Sequence, residues 1–334
     1  MTFSQALIKA YPKLRAALIN SAYLDAELLL SFVLSARGGQ EKSREWILAH
    51  PEIKLSKKQI RAYDNLIKQR ARHVPIAYIT REKEFYGRPF YIDERVLVPR
   101  PETEMMAEEI LCHCEESRAA RGDEAIPVSS AITTRLPRFA AKDDSLAMTI
   151  VDVGTGSGCI IITLAKELQY CKNLKFFATD ISSGALAVAR QNARLHGVDK
   201  KIKFLRGNLL QPLFLKIKNH KIKNFFIVAN LPYLTPAQIQ QSPTIKHEPK
   251  LALNGGADGL KYYRQLAVQL RQFHIKYPNI SISLFCEIDP AQSKKIKTIF
   301  SSVIPANAGT QKKNNQMKIK KDLAGRNRIA IVKF

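Results

Sequence analysis

The segment that most restricts the fold is a glycine loop set between an apolar run and a helical run. Thr149-Ile150-Val151-Asp152-Val153 passes directly into Gly154-Thr155-Gly156-Ser157-Gly158, and Cys159–Glu167 follows at helical spacing. Glycines at a strand end let the backbone turn sharply and approach a ligand closely. The helix behind them offers free N–H groups and a partial positive charge. A glycine loop alone is weak evidence, so its neighbours matter. Phe176–Thr179, Ile202–Arg206, Phe225–Ala229 and Ser281–Glu287 are further short apolar runs, each separated from the next by a helical stretch. That alternation predicts an α/β fold with a Rossmann-like, doubly wound sheet. Met317–Lys321 and Arg328–Lys333, separated by Gly325-Arg326-Asn327, predict a C-terminal antiparallel hairpin.

The spacing of the glycines discriminates between ligands. A dinucleotide site reads G-x-G-x-x-G, whereas here the glycines fall at 154, 156 and 158 with Asp152 just before them. This pattern resembles the S-adenosylmethionine (AdoMet) loop of class I methyltransferases. The resemblance implies cofactor contacts from Gly154, Thr155, Gly156, Ser157 and Gly158. It also implies ribose binding by Asp180 at the end of the next strand, and an adenine edge at Asn208-Leu209 after the third. The plainer alternatives are an Asp capping a helix and an Asn in a turn.

The fourth apolar run ends in Asn230-Leu231-Pro232-Tyr233. In open α/β sheets this edge is where ligands sit. A planar amide or nucleobase nitrogen is a poor nucleophile because its lone pair is delocalised. The Asn230 side-chain oxygen, which also borders the cofactor, and the Leu231 carbonyl can accept both N–H bonds of such a group. They would hold it in line with a methyl donor and stabilise its growing positive charge. Pro232 restrains the residue before it, and Tyr233 offers a face for stacking. An ordinary strand-to-loop turn also uses Asn and Pro. No metal ligand is expected at this centre.

Asn230–Tyr233 resembles the Asn-Pro-Pro-Tyr motif of amino methyltransferases. Several other segments resemble one branch of them, the HemK/PrmC-type protein-(glutamine-N5) methyltransferases of peptide chain release factors. These are Ser43-Arg44-Glu45-Trp46, Phe85-Tyr86-Gly87-Arg88, Val98–Glu104, Glu248-Pro249, Ala252-Leu253, Gly255-Gly256, Asp258-Gly259-Leu260 and Lys321–Arg326. The resemblance implies AdoMet as cofactor and a release factor as protein partner, methylated on the glutamine of a Gly-Gly-Gln loop. It also implies catalytic roles for Asn230, Pro232 and Tyr233, with Leu231 joining them in substrate binding. Leu231 departs from the family proline and removes one fixed dihedral. Asp289 and Arg81 stand where the family has glycines.

The domains expected are a helical substrate-recognition domain over 1–80, a β-hairpin linker over 81–100 and a catalytic domain over 101–334. In the first, Leu24, Ala26, Leu28, Leu29, Phe32 and Val33 predict an apolar helix face, with Asp25 near its start. Ile60, Tyr63, Leu66 and Ile67 predict another within 57–72, and Gly38-Gly39-Gln40 reads as a turn. The hairpin is expected from Phe85–Tyr91 followed by Arg95–Pro99, and a helix from Pro101 to about Cys114. Residues 115–146 lack a sustained period and read as a loop insertion.

Composition sets the remaining limits. No apolar run reaches the roughly 18–20 residues of a membrane span, and the first residues lack the apolar centre of a secretory signal. A soluble, cytoplasmic protein is expected. The five cysteines form no Cys-x-x-Cys pair, which argues against a disulfide framework or structural zinc. Lys+Arg total 53 against Asp+Glu 29, a formal charge of +24. Such an excess favours acidic partners, protein or nucleic acid, unless it is spread over solvated faces. It leaves open a nucleic-acid amino methyltransferase beside a ribosomal-protein glutamine methyltransferase. Leu231 and the insertion leave open a non-catalytic ribosome-associated binder.

Overall fold

The computed structural model describes residues 1–35, 42–119, 148–171, 173–214, 216, 224–301, 303 and 317–334. The chain forms two compact units: Met1–Lys83 with Ile92–Glu94 and Gln240–His247, and Glu84–Tyr91 with Arg95–Ile239 and Glu248–Phe334.

The first unit contains α1 (Phe3–Ala16), α2 (Ala22–Ser35), α3 (Arg44–Ala49), α4 (Lys57–Ala71) and α5 (Ile76–Thr80). Thr2 with Gln5 and Ser56 with Gln59 start α1 and α4 as capping boxes, each satisfying two otherwise unpaired backbone donors. Phe3, Leu14, Leu29, Leu30, Tyr63 and Ile67 are buried together at its centre. The buried face of α2 differs from the one expected. Ala26 and Leu29 are inside, but Leu24 and Leu28 are 42% and 38% exposed, while Asp25 and Glu27 are 4% and 6% exposed. Arginines distant in sequence cause the difference. Arg70 Nε lies 2.6 Å from Asp25 Oδ2, and Arg44 pairs with Glu27. A buried carboxylate is tolerated when it is paired, and helical periodicity does not reveal that partner.

A two-stranded sheet of β1 (Glu82–Phe85) and β2 (Arg88–Tyr91) turns at Tyr86 and Gly87, whose φ angles are 54° and 66°. Two consecutive positive φ values suit a two-residue hairpin turn. The expected second arm at Arg95–Pro99 forms no strand. A single 3₁₀ turn at Pro101–Thr103 leads into α6 (Glu104–Ala119), which runs past the expected end near Cys114. The expected insertion therefore begins inside a helix. From residue 120 to 146 it lies outside the described residues, as does Gly38-Gly39-Gln40.

The second unit is built on β3 (Met148–Val153), β4 (Leu174–Asp180), β5 (Ile202–Arg206), β6 (Asn224–Ala229), β7 (Ser281–Glu287), β8 (Met317–Lys321) and β9 (Asn327–Lys333). Their order is β5-β4-β3-β6-β7-β9-β8, parallel through β7, with β9 antiparallel to both its neighbours. This is the expected doubly wound sheet with its closing hairpin. All six residues of β3 are buried, as a central parallel strand covered on both faces requires. α7 (Cys159–Glu167) and α8 (Ser183–Leu195) return the chain between the first three parallel strands. The strand order reverses between β3 and β6, which places a crevice at their carboxyl ends.

Candidate active site

Sheet register assembles the site. Val153 pairs with Thr179 on one side and Ala229 on the other, and Ala229 pairs with Cys286. The next residues along these strands, Gly154, Asp180, Asn230 and Glu287, therefore emerge side by side. They come from segments spread over more than a hundred residues. A cavity of about 160 Å³ opens there, lined by Gly154–Ser157, Asp180, Asn208, Leu209 and Asn230–Pro232, with Arg95–Leu97, Arg100 and Thr103 also in its wall. Of the site residues expected from sequence, only Gly158 and Tyr233 do not line it. Gly158 is instead the N-cap of α7 at φ 80°. Tyr233 is half-buried, with its hydroxyl donating to Glu287 Oε1 at 3.3 Å.

The glycine loop closes on the next strand. The Gly156 N–H donates to Asp180 Oδ2 at 3.0 Å, and the Ser182 N–H donates to Asp180 Oδ1 at 2.8 Å. Each carboxylate oxygen retains a further lone pair for a ligand hydroxyl. Burial raises the Asp180 pKa above the ordinary carboxylate value, with the backbone bonds opposing the shift. Beneath the loop, Asp152 is fully buried and accepts the Thr155 hydroxyl at 2.6 Å. Burial pushes its carboxyl up to about 7. Leu209, beside Asn208, has φ 52°, a conformation that costs a leucine roughly 1–2 kcal/mol.

The Asn230–Tyr233 loop is clamped from below. A Cβ on Gly255 would lie 2.6 Å from the Pro232 carbonyl oxygen, and one on Gly259 would lie 2.1 Å from that of Tyr233. Only glycine permits this approach. Gln292 Nε2 donates to the Tyr233 carbonyl at 3.0 Å. Leu231, the departure from the family proline, is 3% exposed and packs into the main core. A Cβ on Gly154 would come within 3.4 Å of its side chain. Burial of the side chain thus restrains the loop where the family proline would do so through its ring.

The Asn230 amide is held through its nitrogen. Nδ2 donates to Glu287 Oε2 at 3.0 Å and to Thr103 Oγ1 at 3.2 Å, while the Thr103 hydroxyl donates to Glu287 Oε2 at 2.7 Å. Among the described residues, neither Asn230 Oδ1 nor the Leu231 carbonyl accepts a hydrogen bond. The junction at 98–104 is fixed similarly. Arg100 Nη2 lies 2.5 Å from Glu248 Oε1, and the Val98 N–H donates to Glu248 Oε2 at 3.1 Å. Sequence reasoning overlooked Glu287, which ends an apolar strand three residues before Pro290. Its one signal was its place two residues before Asp289, where the family has a glycine. Among the described residues no group of three His, Cys, Asp or Glu side chains could hold a metal.

The sheet order, the glycine loop and the site at the carboxyl ends of β3 and β6 define a class I methyltransferase fold, and residues 144–248 match a methyltransferase domain model. Residues 5–80 match the PrmC N-terminal domain. A release factor glutamine methyltransferase of Chlorobaculum tepidum is 35% identical over 252 residues, covering 75% of this chain and 74% of that one. Another, of Dictyoglomus turgidum, is 33% identical over 294 residues, covering 85% and 86%. The chain belongs to the release factor glutamine methyltransferase family. It is also 34% identical over 333 residues to a bifunctional methyltransferase of Rickettsia felis, matching 99% of this chain but spanning only 58% of that relative.

Proposed function

We propose that the chain transfers a methyl group from AdoMet to the side-chain amide nitrogen of the glutamine in the Gly-Gly-Gln loop of a peptide chain release factor. The observation that carries this reading is the pair of acceptors, Asn230 Oδ1 and the Leu231 carbonyl, at the cavity that the glycine loop and Asp180 also line. Two acceptors match the two N–H bonds of a primary amide. The match to the PrmC N-terminal domain and the names of the relatives support the choice of substrate.

The cavity fits AdoMet. A Cβ on Gly156 would meet nothing within 4 Å, so this loop presents bare backbone to a ligand. Asp180 can accept the ribose hydroxyls, and Asn208 and Leu209 border the adenine. Gly154, Thr155, Ser157 and the capping Gly158 shape the cradle for the methionine end. When bound, AdoMet supplies an electrophilic methyl carbon on a sulfonium. The protein's own part is positioning and charge stabilisation. Asn230 Oδ1 and the Leu231 carbonyl accept the amide N–H bonds and direct the nitrogen at the methyl. Pro232 stiffens the loop, and Tyr233, outside the cavity wall, supports it from behind through its hydroxyl on Glu287 instead of offering the stacking face expected of it.

The helical first unit is assigned to recognition of the release factor, with the hairpin region 81–100 lying between it and the catalytic residues in sequence. A release-factor substrate implies a cytoplasmic protein. The test is methyl transfer from labelled AdoMet to purified release factor, with a factor lacking the loop glutamine as control. Transfer to the intact factor alone is expected; equal labelling of both rejects the assignment. The charge of +24 favours one second reading, amino methylation of nucleic acid. Labelling of RNA or DNA in the absence of protein substrate would support it. Asn230→Ala is expected to retain part of the AdoMet binding while turnover falls about 10²-fold, as for other lost charge-stabilising contacts.

A further inference from the structure

An asparagine amide has nearly the same shape either way round, so its hydrogen-bond partners decide which end faces the substrate. At Asn230 those partners converge on one carboxylate. Glu287 Oε2 accepts from Asn230 Nδ2 and from the Thr103 hydroxyl, while Oε1 accepts from the Tyr233 hydroxyl. Thr103 has spent its proton on Glu287, so it faces Asn230 as an acceptor at 3.2 Å. Both protons of Nδ2 thus have acceptors behind them, and Oδ1 must point the other way. Turned over, Oδ1 would meet a carboxylate oxygen and a hydroxyl with no proton to give. An ionised carboxylate is acceptor-only, which makes the preference strong.

We propose that Glu287 is a positioning residue that fixes Asn230 with its oxygen toward the acceptor nitrogen and, through Nδ2, increases the negative charge on that oxygen. This rests on the amide-gripping role of Asn230 proposed above. Glu287 is 1% exposed and is itself held in place. The Tyr263 hydroxyl, from the helix Lys261–Lys276, donates to its backbone carbonyl at 2.5 Å. The role requires the ionised form, because a protonated Oε2 becomes a donor and favours the reversed amide. Burial raises the Glu287 pKa above the ordinary carboxylate value. Thr103, Arg328 from β9 and Tyr233 favour the charge, whereas Glu102 opposes it. Protonation of Glu287 therefore contributes to an acid limb of turnover, beside the Asp152 and Asp180 carboxyls that burial also raises.

The test compares the full-length wild type with Glu287→Gln, Asn230→Asp and the double variant. Glu287→Gln keeps the shape but removes the charge and leaves one acceptor oxygen where the carboxylate had two, so Asn230 Nδ2 and the Tyr233 hydroxyl can no longer both be satisfied as donors. It should lower kcat on release factor about 10²-fold, weaken the acid limb and leave AdoMet affinity within about twofold, since Glu287 does not line the cavity. The double variant exchanges the two roles, with the amide donor now at position 287 and the carboxylate acceptor at position 230. Activity should recover at least about tenfold over Glu287→Gln, a coupling expected only of partners in contact. A double variant no more active than Glu287→Gln would overturn the proposal.

A readout without substrate separates this inference from the release-factor reading. The Asn230 side-chain amide protons should exchange slowly in the wild type and lose protection in Glu287→Gln. An unchanged resonance and unchanged protection would also overturn it. Should wild type label no release factor, the substrate assignment falls while the exchange measurement still decides the positioning role. Thr103→Val, which removes one acceptor, should shift the same resonance with a smaller loss and serves if Glu287→Gln does not fold.

Discussion

The Gly156 N–H and Asp180 Oδ2, 3.0 Å apart, join the cofactor loop after one strand to the carboxylate ending the next. Asp180 therefore shapes the loop and offers acceptors at the same time. Replacing it by Ala removes both functions. A hydrogen bond to a charged group contributes about 1.5–3 kcal/mol, so AdoMet affinity should fall more than tenfold. Titration calorimetry checks this, and a Kd within twofold of wild type would contradict it.

Gly158 and Gly197 form an internal comparison. Both have positive φ, 80° and 66°. A Cβ on Gly158 would meet Ile162 Cδ1 at 2.9 Å and Ala189 Cβ at 3.1 Å, whereas one on Gly197 would meet nothing within 4 Å. Gly197→Ala should cost only the conformational roughly 1–2 kcal/mol. Gly158→Ala should add overpacking of about 1–3 kcal/mol. Urea denaturation of both variants measures the difference, and equal midpoints would exclude the packing contribution.

The Asp25–Arg70 pair lies inside the helical unit, its side chains 6% and 11% exposed. Removing one partner leaves the other charge buried, which typically costs about 3–5 kcal/mol. Asp25→Ala should show a loss of this size in chemical denaturation. Asp64 offers the contrast. Its contacts with Lys9 and Lys13 are 3.7 and 3.6 Å long and solvent-exposed, so Asp64→Ala should cost less than about 1 kcal/mol.

Asp152 predicts a pH dependence of stability. Its carboxyl sits at about 7 in the folded chain against an ordinary 3.8, with burial as the main cause. Between those values the folded state holds a proton that the unfolded state has released. The contribution is complete below about pH 4 and is lost as pH rises through 7, a change on the order of 4 kcal/mol. Relative to Asp152→Asn, the wild type should lose Tm steadily over this window. Parallel Tm profiles for the two proteins would show that Asp152 does not titrate there.

Local pattern alone carried much of this protein. The glycine spacing, the alternation of apolar runs and Asn230–Tyr233 lie within short stretches whose backbone demands are local, so the sheet and most of the cavity lining were readable from them. The face of α2 was not. Leu24 and Leu28 satisfy helical periodicity yet face solvent, because Arg70 and Arg44 draw Asp25 and Glu27 inward. The Arg95–Pro99 segment carries β-branched residues but no strand, since strand formation needs a pairing neighbour as well as propensity.

The sequence by itself determined the groups available: a glycine loop, an acid at a strand end and two acceptor oxygens beside Pro232. Tertiary structure decided how those groups are aimed. Sheet register brought Glu287 beside Asn230 and Thr103 against both, and with them fixed which end of the amide faces the cavity. No local pattern encodes that choice, because the two ends of an asparagine differ only in the partners that distant segments supply.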